Sequence, residues 1–179
     1  AGSTQPFKGP SNYTVTSADE TDANRAIIIG LFAGDNASLN LASSSFVCCG
    51  GLSSLSGVAA TLGDAASSTG TLNVGYGQFN VTGSDFTQRQ LVVGNNGNGV
   101  INVLNGADVN VTGFNSTTSL GRRAGATGVV DIAGAGSTWT SANRLWVGEN
   151  GAGTLTVRNG GALNTTGTGG DFSAILGVF

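Results

Sequence analysis

The chain has 179 residues, of which 39% are hydrophobic and only 9% are charged, and its formal net charge is −3. This length fits one domain or one short repeat array, and the combination of low charge with a substantial apolar fraction excludes ordinary disorder. Seven Lys and Arg residues without a basic cluster are too few for a nucleic-acid surface. No apolar run approaches the ~20 residues of a membrane-spanning helix.

Short runs with apolar residues at positions i and i+2 recur along the whole chain, which is the periodicity of strands and not of helices. In chain order these runs cover 13–16, 27–30, 38–41, 46–48, 60–63, 71–74, 79–83, 91–94, 100–103, 109–113, 118–121, 129–132, 139–141, 145–148, 154–157, 163–167 and 174–177. One family of these runs ends in a glycine that recurs every 27 to 33 residues: Gly30, Gly63, Gly94, Gly121, Gly148 and Gly177.

Three short strands in each repeat, joined by corners rich in Gly-Asn, Asn-Gly and Gly-Gly, predict a coil that stacks on its neighbours. The predicted fold is therefore all-β: a single-stranded parallel β-helix with three short strands per coil and about five to six coils. A β-propeller is excluded because each of its blades needs four strands in at least ~40 residues.

The stacking predicts which side chains face inward and which face outward. Two rows of apolar residues are expected inside, namely Leu72, Ile101, Val130 and Leu155, and Val74, Val103, Ile132 and Val157. The residues between them, Asn40, Asn73, Asn102 and Asp131, are expected to point outward, where side-chain amides can bond from coil to coil.

The repeat is regular over 58–179 and irregular over 1–26, and 1–179 is predicted to be a single domain. Two stretches depart from the pattern and are predicted as loops: 18–25, which carries three acidic residues, and 49–58, beside the cysteines. The chain contains no methionine and begins on a small residue, as an excised or processed piece would.

The segments GAGSTW at 134–139 and LWVGENGAGTLTVRNGG at 145–161 resemble a known repeat, GAGSTW…LxVGxxGxGTLxVxNGG. This is the β-helical repeat of bacterial autotransporter passengers and related adhesin-like surface proteins. Residues 91–113 resemble it more loosely. The resemblance implies export to the bacterial surface and a role in adhesion, aggregation or display. It implies no ligand, because the matching residues are strand and corner positions.

The only two cysteines, Cys48 and Cys49, are adjacent. Three chemical states are open to them: a strained disulfide between neighbours, two free thiols, or a bridge to another chain. The alternative is a structural role, in which both are small residues at a strand end. Asp19, Glu20 and Asp22 lack the spacing of a calcium loop. We therefore predict no metal site and no cofactor.

Catalytic residues are not predicted anywhere in the chain. It contains no histidine, which rules out a Ser-His-Asp triad. Glycoside hydrolysis needs two facing carboxylates, and the acids of the later coils are Asp108, Asp131 and Glu149. Because Asp131 occupies a position that carries asparagine in other coils, the pattern gives it a structural role.

A possible contact surface follows from the outward positions of the glycine-ending strands. These positions are Ile28, Thr61, Val92, Ser119, Trp146 and Ile175. Four of the six are apolar, namely Ile28, Val92, Trp146 and Ile175. An exposed apolar row of this kind marks a contact site, unless a loop such as 49–58 covers it.

The sequence thus predicts a non-enzymatic structural or adhesive segment of an exported bacterial surface protein. Its expected partners are a host or neighbouring-cell surface, a glycan, or identical subunits, without nucleic acid and without membrane insertion. The alternative is a subunit that assembles end to end into an extracellular filament, because neither end shows a capping helix or a charged edge. A β-helix enzyme acting on polysaccharides is a distant third.

Overall fold

A computed structural model describes residues 12–14, 27–41, 54–57, 59–82, 89–113, 116–167 and 174–177. Within these ranges the chain forms seventeen strands and no helix, so none of the described segments is a long apolar helix of the kind that crosses a membrane. All strand pairs are parallel. The chain passes through three sheets in turn, so the predicted all-β class and three strands per coil are confirmed.

The three sheets are named here sheet I, sheet II and sheet III, in the order in which the chain enters them. Sheet I contains β1 (Asn12–Thr14), β4 (Ser54–Gly57), β7 (Gln78–Val81), β10 (Asp108–Val111), β13 (Thr138–Ser141) and β16 (Ala162–Thr165). Sheet II contains β2 (Ile27–Ile29), β5 (Ala60–Leu62), β8 (Leu91–Val93), β11 (Thr117–Leu120), β14 (Arg144–Val147) and β17 (Ala174–Leu176). Sheet III contains β3 (Asn36–Leu41), β6 (Thr69–Val74), β9 (Asn98–Leu104), β12 (Thr127–Ala133) and β15 (Ala152–Arg158).

The core is a column of apolar side chains stacked in register inside the coils. In sheet III, Leu72 pairs with Ile101 and Ile101 with Val130, and all three have no exposed surface. Burying one such side chain contributes ~1.5–3 kcal/mol. The predicted inward rows are confirmed in these coils, whereas in β15 Val157 is 43% exposed because no described strand pairs with the outer edge of β15.

Two rows of glycine let the chain turn the corner between sheet II and sheet III. Gly94 has a φ of 79°, a left-handed conformation that costs glycine little. Gly128 lies inside β12, and a Cβ there would overlap the carbonyl oxygen of Val93 and the amide nitrogen of Gly121. The backbones of neighbouring coils therefore approach more closely at this corner than any side chain permits.

The structure corrects one predicted loop. Ser54–Gly57, inside the predicted loop 49–58, is strand β4, which pairs with β1 on one side and β7 on the other. Residues 46–48, which are predicted as a strand, lie outside the described ranges. Ser-Leu-Ser-Gly contains a single apolar residue, so its alternation is too short to be recognised without the neighbouring coils.

Thr118 is a polar residue inside the core, and it provides a test of the packing. It lies in register between Leu91 and Leu145, has no exposed surface, and its hydroxyl oxygen has no hydrogen-bond partner among the described residues. We expect Thr118→Val to raise the free energy of unfolding by about 1 kcal/mol, because an unpaired buried hydroxyl is replaced by a methyl group of the same shape.

The measurement is urea unfolding, read as a shift in midpoint at unchanged slope. The control is Thr140→Val, since Thr140 occupies an outward position in β13 and should change stability by less than about 0.5 kcal/mol. A destabilised Thr118→Val protein would show that the hydroxyl is bound inside the coil.

Candidate functional site

A group of polar side chains lies directly after the corner glycines of sheet II. The residue directly after the glycine is polar in four successive coils, namely Asp64, Asn95, Arg122 and Glu149. The amide of Asn95 donates to Asp64 Oδ1 at 2.7 Å, and Arg122 Nη1 donates to Asn95 Oδ1 at 3.4 Å. These side chains therefore bond from coil to coil, in a position where Asp64, Asn95 and Glu149 are buried.

Glu149 forms the end of this group and is only 5% exposed. Its carboxylate accepts hydrogen bonds from Arg89 Nη2 and from Arg89 Nε, the latter at 3.3 Å. Ser119 Oγ donates to the same carboxylate at 2.5 Å. Arg89 also stacks on Trp146, with its Cζ 5.0 Å from the ring centroid. Three donor atoms from two residues compensate the burial of the carboxylate, and the Trp146 ring stacks on the guanidinium that supplies two of them.

This cluster changes the interpretation of the predicted contact row. The row exists as a register, because Ile28, Thr61, Val92, Ser119, Trp146 and Ile175 are successive partners across sheet II. Its predicted exposure is wrong at Val92, which is only 2% exposed. Ile28, Trp146 and Ile175 are half-buried, and Arg89 covers Trp146. The row therefore does not offer a continuous apolar surface.

Arg89 could not be recognised from the sequence pattern as the residue that covers Trp146. Arg89 precedes β8 and lies between runs, where periodicity carries no information about its direction. Its partner Glu149 is 60 positions further along the chain, and the pair is adjacent only because the coils stack.

Asparagine ladders follow the outward faces of two sheets, and the ladder in sheet III is the predicted row. In sheet III, Asn73 donates to Asn40 at 2.6 Å and Asn102 donates to Asn73 at 2.7 Å. In sheet I, Asn110 donates to Asn80 at 2.9 Å. Asn73 thus uses one donor and one acceptor within the ladder, so its amide ties three successive coils together.

The acids considered for hydrolysis are engaged in similar contacts. Asp108 accepts a hydrogen bond from Thr138 Oγ1 at 2.5 Å. Asp131 accepts from Arg158 Nε at 3.0 Å and from Arg158 Nη2 at 2.7 Å. These hydrogen bonds, and then the charge of Asp131, raise the pKa of Arg158. Asp131 therefore continues the asparagine ladder as a salt bridge.

The two remaining described acids complete this picture. Asp35 accepts a hydrogen bond from the Phe32 amide at 2.8 Å, which closes a turn, and Asp64 accepts the bond from Asn95. Each of the five described carboxylates thus has a hydrogen-bond donor from another residue, and in four cases that donor lies on another coil.

No group of three or more metal-binding side chains occurs among the described residues. Asp19, Glu20 and Asp22 lie outside the described ranges, as do Cys48 and Cys49. The predictions made for these five residues therefore stay predictions.

Two open hollows lie at opposite ends of the described stack. One has a volume of about 530 Å³ and is lined by residues that include Val147, Gly148 and Leu176. The other, of about 450 Å³, is lined by residues that include Ile28, Phe32 and Asp35. Apolar side chains and glycine backbone make up most of both linings, beside Asn150 in the first hollow and Asp35 and Asn36 in the second.

Comparison of the chain with protein-family models, with curated proteins and with solved structures gives no significant match. The resemblance of 134–161 to the repeat of bacterial surface proteins therefore stays a prediction.

Proposed function

We propose that the chain is a non-enzymatic structural and adhesive segment of an exported bacterial surface protein. The observation that carries the proposal is the use of the carboxylates: all five described ones bind other residues, four of them across coils. General acid and base catalysis needs carboxylates directed at a substrate. Here the same groups fasten a scaffold, and the partner of that scaffold is a cell surface or a glycan.

The test is display of the chain on a non-adherent bacterium. We expect the displayed chain to increase the retention of cells on host-cell layers or on glycan-coated surfaces, compared with the empty display carrier. A carrier displaying Gly128→Ala, whose coil corner cannot close, is the matched control for dependence on the fold. Retention equal to that of the empty carrier on every surface would contradict an adhesive role.

A second candidate function, end-to-end assembly into a filament, is supported by the position of the exposed apolar side chains. Five large apolar residues of the described ranges are exposed, and four of them lie at the two ends of the stack: Leu31 (40%) and Phe32 (69%) at one end, Val157 (43%) and Leu176 (76%) at the other. At both ends no described strand pairs with the outer edge of sheet III, and such edges beside apolar side chains favour the addition of further coils. These coils belong either to identical subunits or to the remainder of a longer chain.

Light scattering and electron microscopy of the purified chain separate the two cases. Filament assembly predicts scattering that grows with protein concentration and is reduced in Phe32→Ser and in Leu176→Ser. Tyr76→Ser is the control, because Tyr76 is 46% exposed but lies on the side of the stack, between β6 and β7. Dispersed particles at all concentrations would exclude the filament and leave the adhesive segment.

A further inference from the structure

The chain contains five Asn-Gly pairs, at 96–97, 98–99, 105–106, 150–151 and 159–160. The pair at 159–160 differs from the others in the hydrogen bonding of its glycine amide. An asparagine followed by glycine can lose ammonia when the glycine amide nitrogen attacks the asparagine side-chain carbonyl. That nitrogen is restrained when its N–H is held in a hydrogen bond. The bonding of the glycine amide therefore decides which pair reacts.

Four of the five glycine amides are held by the neighbouring coil or within a sheet. Gly97 donates to the carbonyl oxygen of Gly63 at 3.0 Å, and Gly151 donates to that of Gly121 at 2.9 Å. Gly106 donates to Ser137 Oγ at 3.0 Å. Gly99 lies inside β9, with strands paired on both sides. Gly160 alone of the five has no hydrogen-bond partner for its N–H in the described part of the chain.

The pairs at 105–106 and 159–160 form a matched comparison, because their local backbones are nearly the same. Asn105 and Asn159 have φ angles of 55° and 53°, and Gly106 and Gly160 have φ angles of 80° and 83°. Each turn is closed by one bond, of 3.1 Å from the Ala107 amide to Leu104 and of 3.0 Å from the Gly161 amide to Arg158. Asn105 and Asn159 are both exposed.

The two turns differ in what the next coil supplies. Ser137, from the coil after Asn105, accepts the Gly106 amide and donates its own hydroxyl to the carbonyl oxygen of Ala133 at 2.8 Å. No described coil stacks beyond the turn at Asn159, and β15, which leads into that turn, has exposed or half-buried residues throughout. Opening of this turn is therefore less costly than opening of the turn at Asn105.

We infer that Asn159 is a site of spontaneous deamidation and that Ser137 protects Asn105 from the same reaction. The Gly160 amide nitrogen loses its proton and forms a bond to Cγ of Asn159, and the side-chain nitrogen leaves as ammonia. Water then opens the resulting cyclic imide at either carbonyl, which gives aspartate or isoaspartate. The product places a new negative charge beside the Arg158–Asp131 salt bridge, and isoaspartate adds a methylene to the backbone between β15 and β16.

The experiment is incubation of the purified chain at neutral pH, followed by digestion in acid and peptide mass spectrometry of all five pairs. In the wild-type chain we expect Asn159 to react at least about fivefold faster than Asn105, the factor that one hydrogen bond of ordinary net strength contributes to local opening. Ser137→Ala should raise the rate at Asn105 by about fivefold and leave the rate at Asn159 unchanged.

Two controls keep the test decisive. Ser137→Thr retains the hydroxyl and should retain the protection of Asn105. Asn150, whose following amide is bound to another coil, should keep its rate in every variant, so that an increase there identifies global unfolding. Equal rates at Asn105 and Asn159 in the wild-type chain, or an unchanged Asn105 rate in a folded Ser137→Ala chain, would overturn the inference.

Discussion

Gly128→Ala is expected to lower the free energy of unfolding by about 4 kcal/mol, which is near the upper limit for a single substitution. The added methyl group would overlap backbone atoms of Val93 and Gly121 and stand 2.8 Å from the carbonyl carbon of Leu120. Backbone atoms cannot rotate away as a flexible side chain can, so the neighbouring coils must separate. The measurement is urea unfolding followed by circular dichroism.

Gly125→Ala is the matched control, because a Cβ at Gly125 meets no atom within 4 Å. Its φ of 81° makes alanine there strained, and we expect a loss of about 1 kcal/mol. If the two variants lose the same free energy, the close approach of coils at the corner is not what requires glycine at 128.

Arg89→Ala is expected to cost about 3 kcal/mol, because it leaves the Glu149 carboxylate buried without its cation. The Glu149 side chain is only 7% exposed, and after the substitution it keeps the Ser119 hydroxyl as a donor. Trp146 would at the same time lose the guanidinium stacked on its ring. Thermal and urea unfolding measure the loss.

A double-mutant cycle separates the charge pair from the packing. Glu149→Gln in the Arg89→Ala background should restore part of the lost stability, because a neutral amide replaces the unpaired charge. Arg89→Lys should give an intermediate loss, since an ammonium cannot make the forked contact. Strict additivity of the two single losses would show that Arg89 and Glu149 do not interact.

The repeat made the coil predictable from sequence. Alternating apolar residues place the strands, and the regular glycines place the corners, because each coil repeats the physical requirements of the one before. Asn73 could be assigned to a ladder for the same reason, since Asn40 and Asn102 occupy equivalent positions. A short alternation that would be ambiguous in one segment becomes a reliable indication of a strand when equivalent positions in several coils show it.

The contacts that could not be predicted from the sequence occur at positions where one coil differs from the next. Arg89 belongs to no row, so its contact with Glu149 and its position over Trp146 follow only from the folded arrangement. Val92 appeared exposed because strand alternation distinguishes inside from outside but does not show which outward residues are covered. Strand Ser54–Gly57 could not be predicted because a single leucine does not establish the alternation of apolar and polar residues that identifies a strand.

The polar groups of the coils are the common element of these results. Asn95 with Asp64, Asn102 with Asn73 and Thr138 with Asp108 all bind across coils, so these described side chains hold the stack together. A solenoid built in this way presents a long polar surface at low charge. Such a surface suits the proposed role in adhesion and display.

Our central proposal is that the five described carboxylates fasten the coils and do not act on a substrate. Its most direct test is the release of reducing ends from a panel of polysaccharides incubated with the purified chain. We expect release no greater than in buffer alone. Release by the wild-type chain that disappears in Glu149→Gln or Asp131→Asn, with the fold intact by circular dichroism, would contradict it.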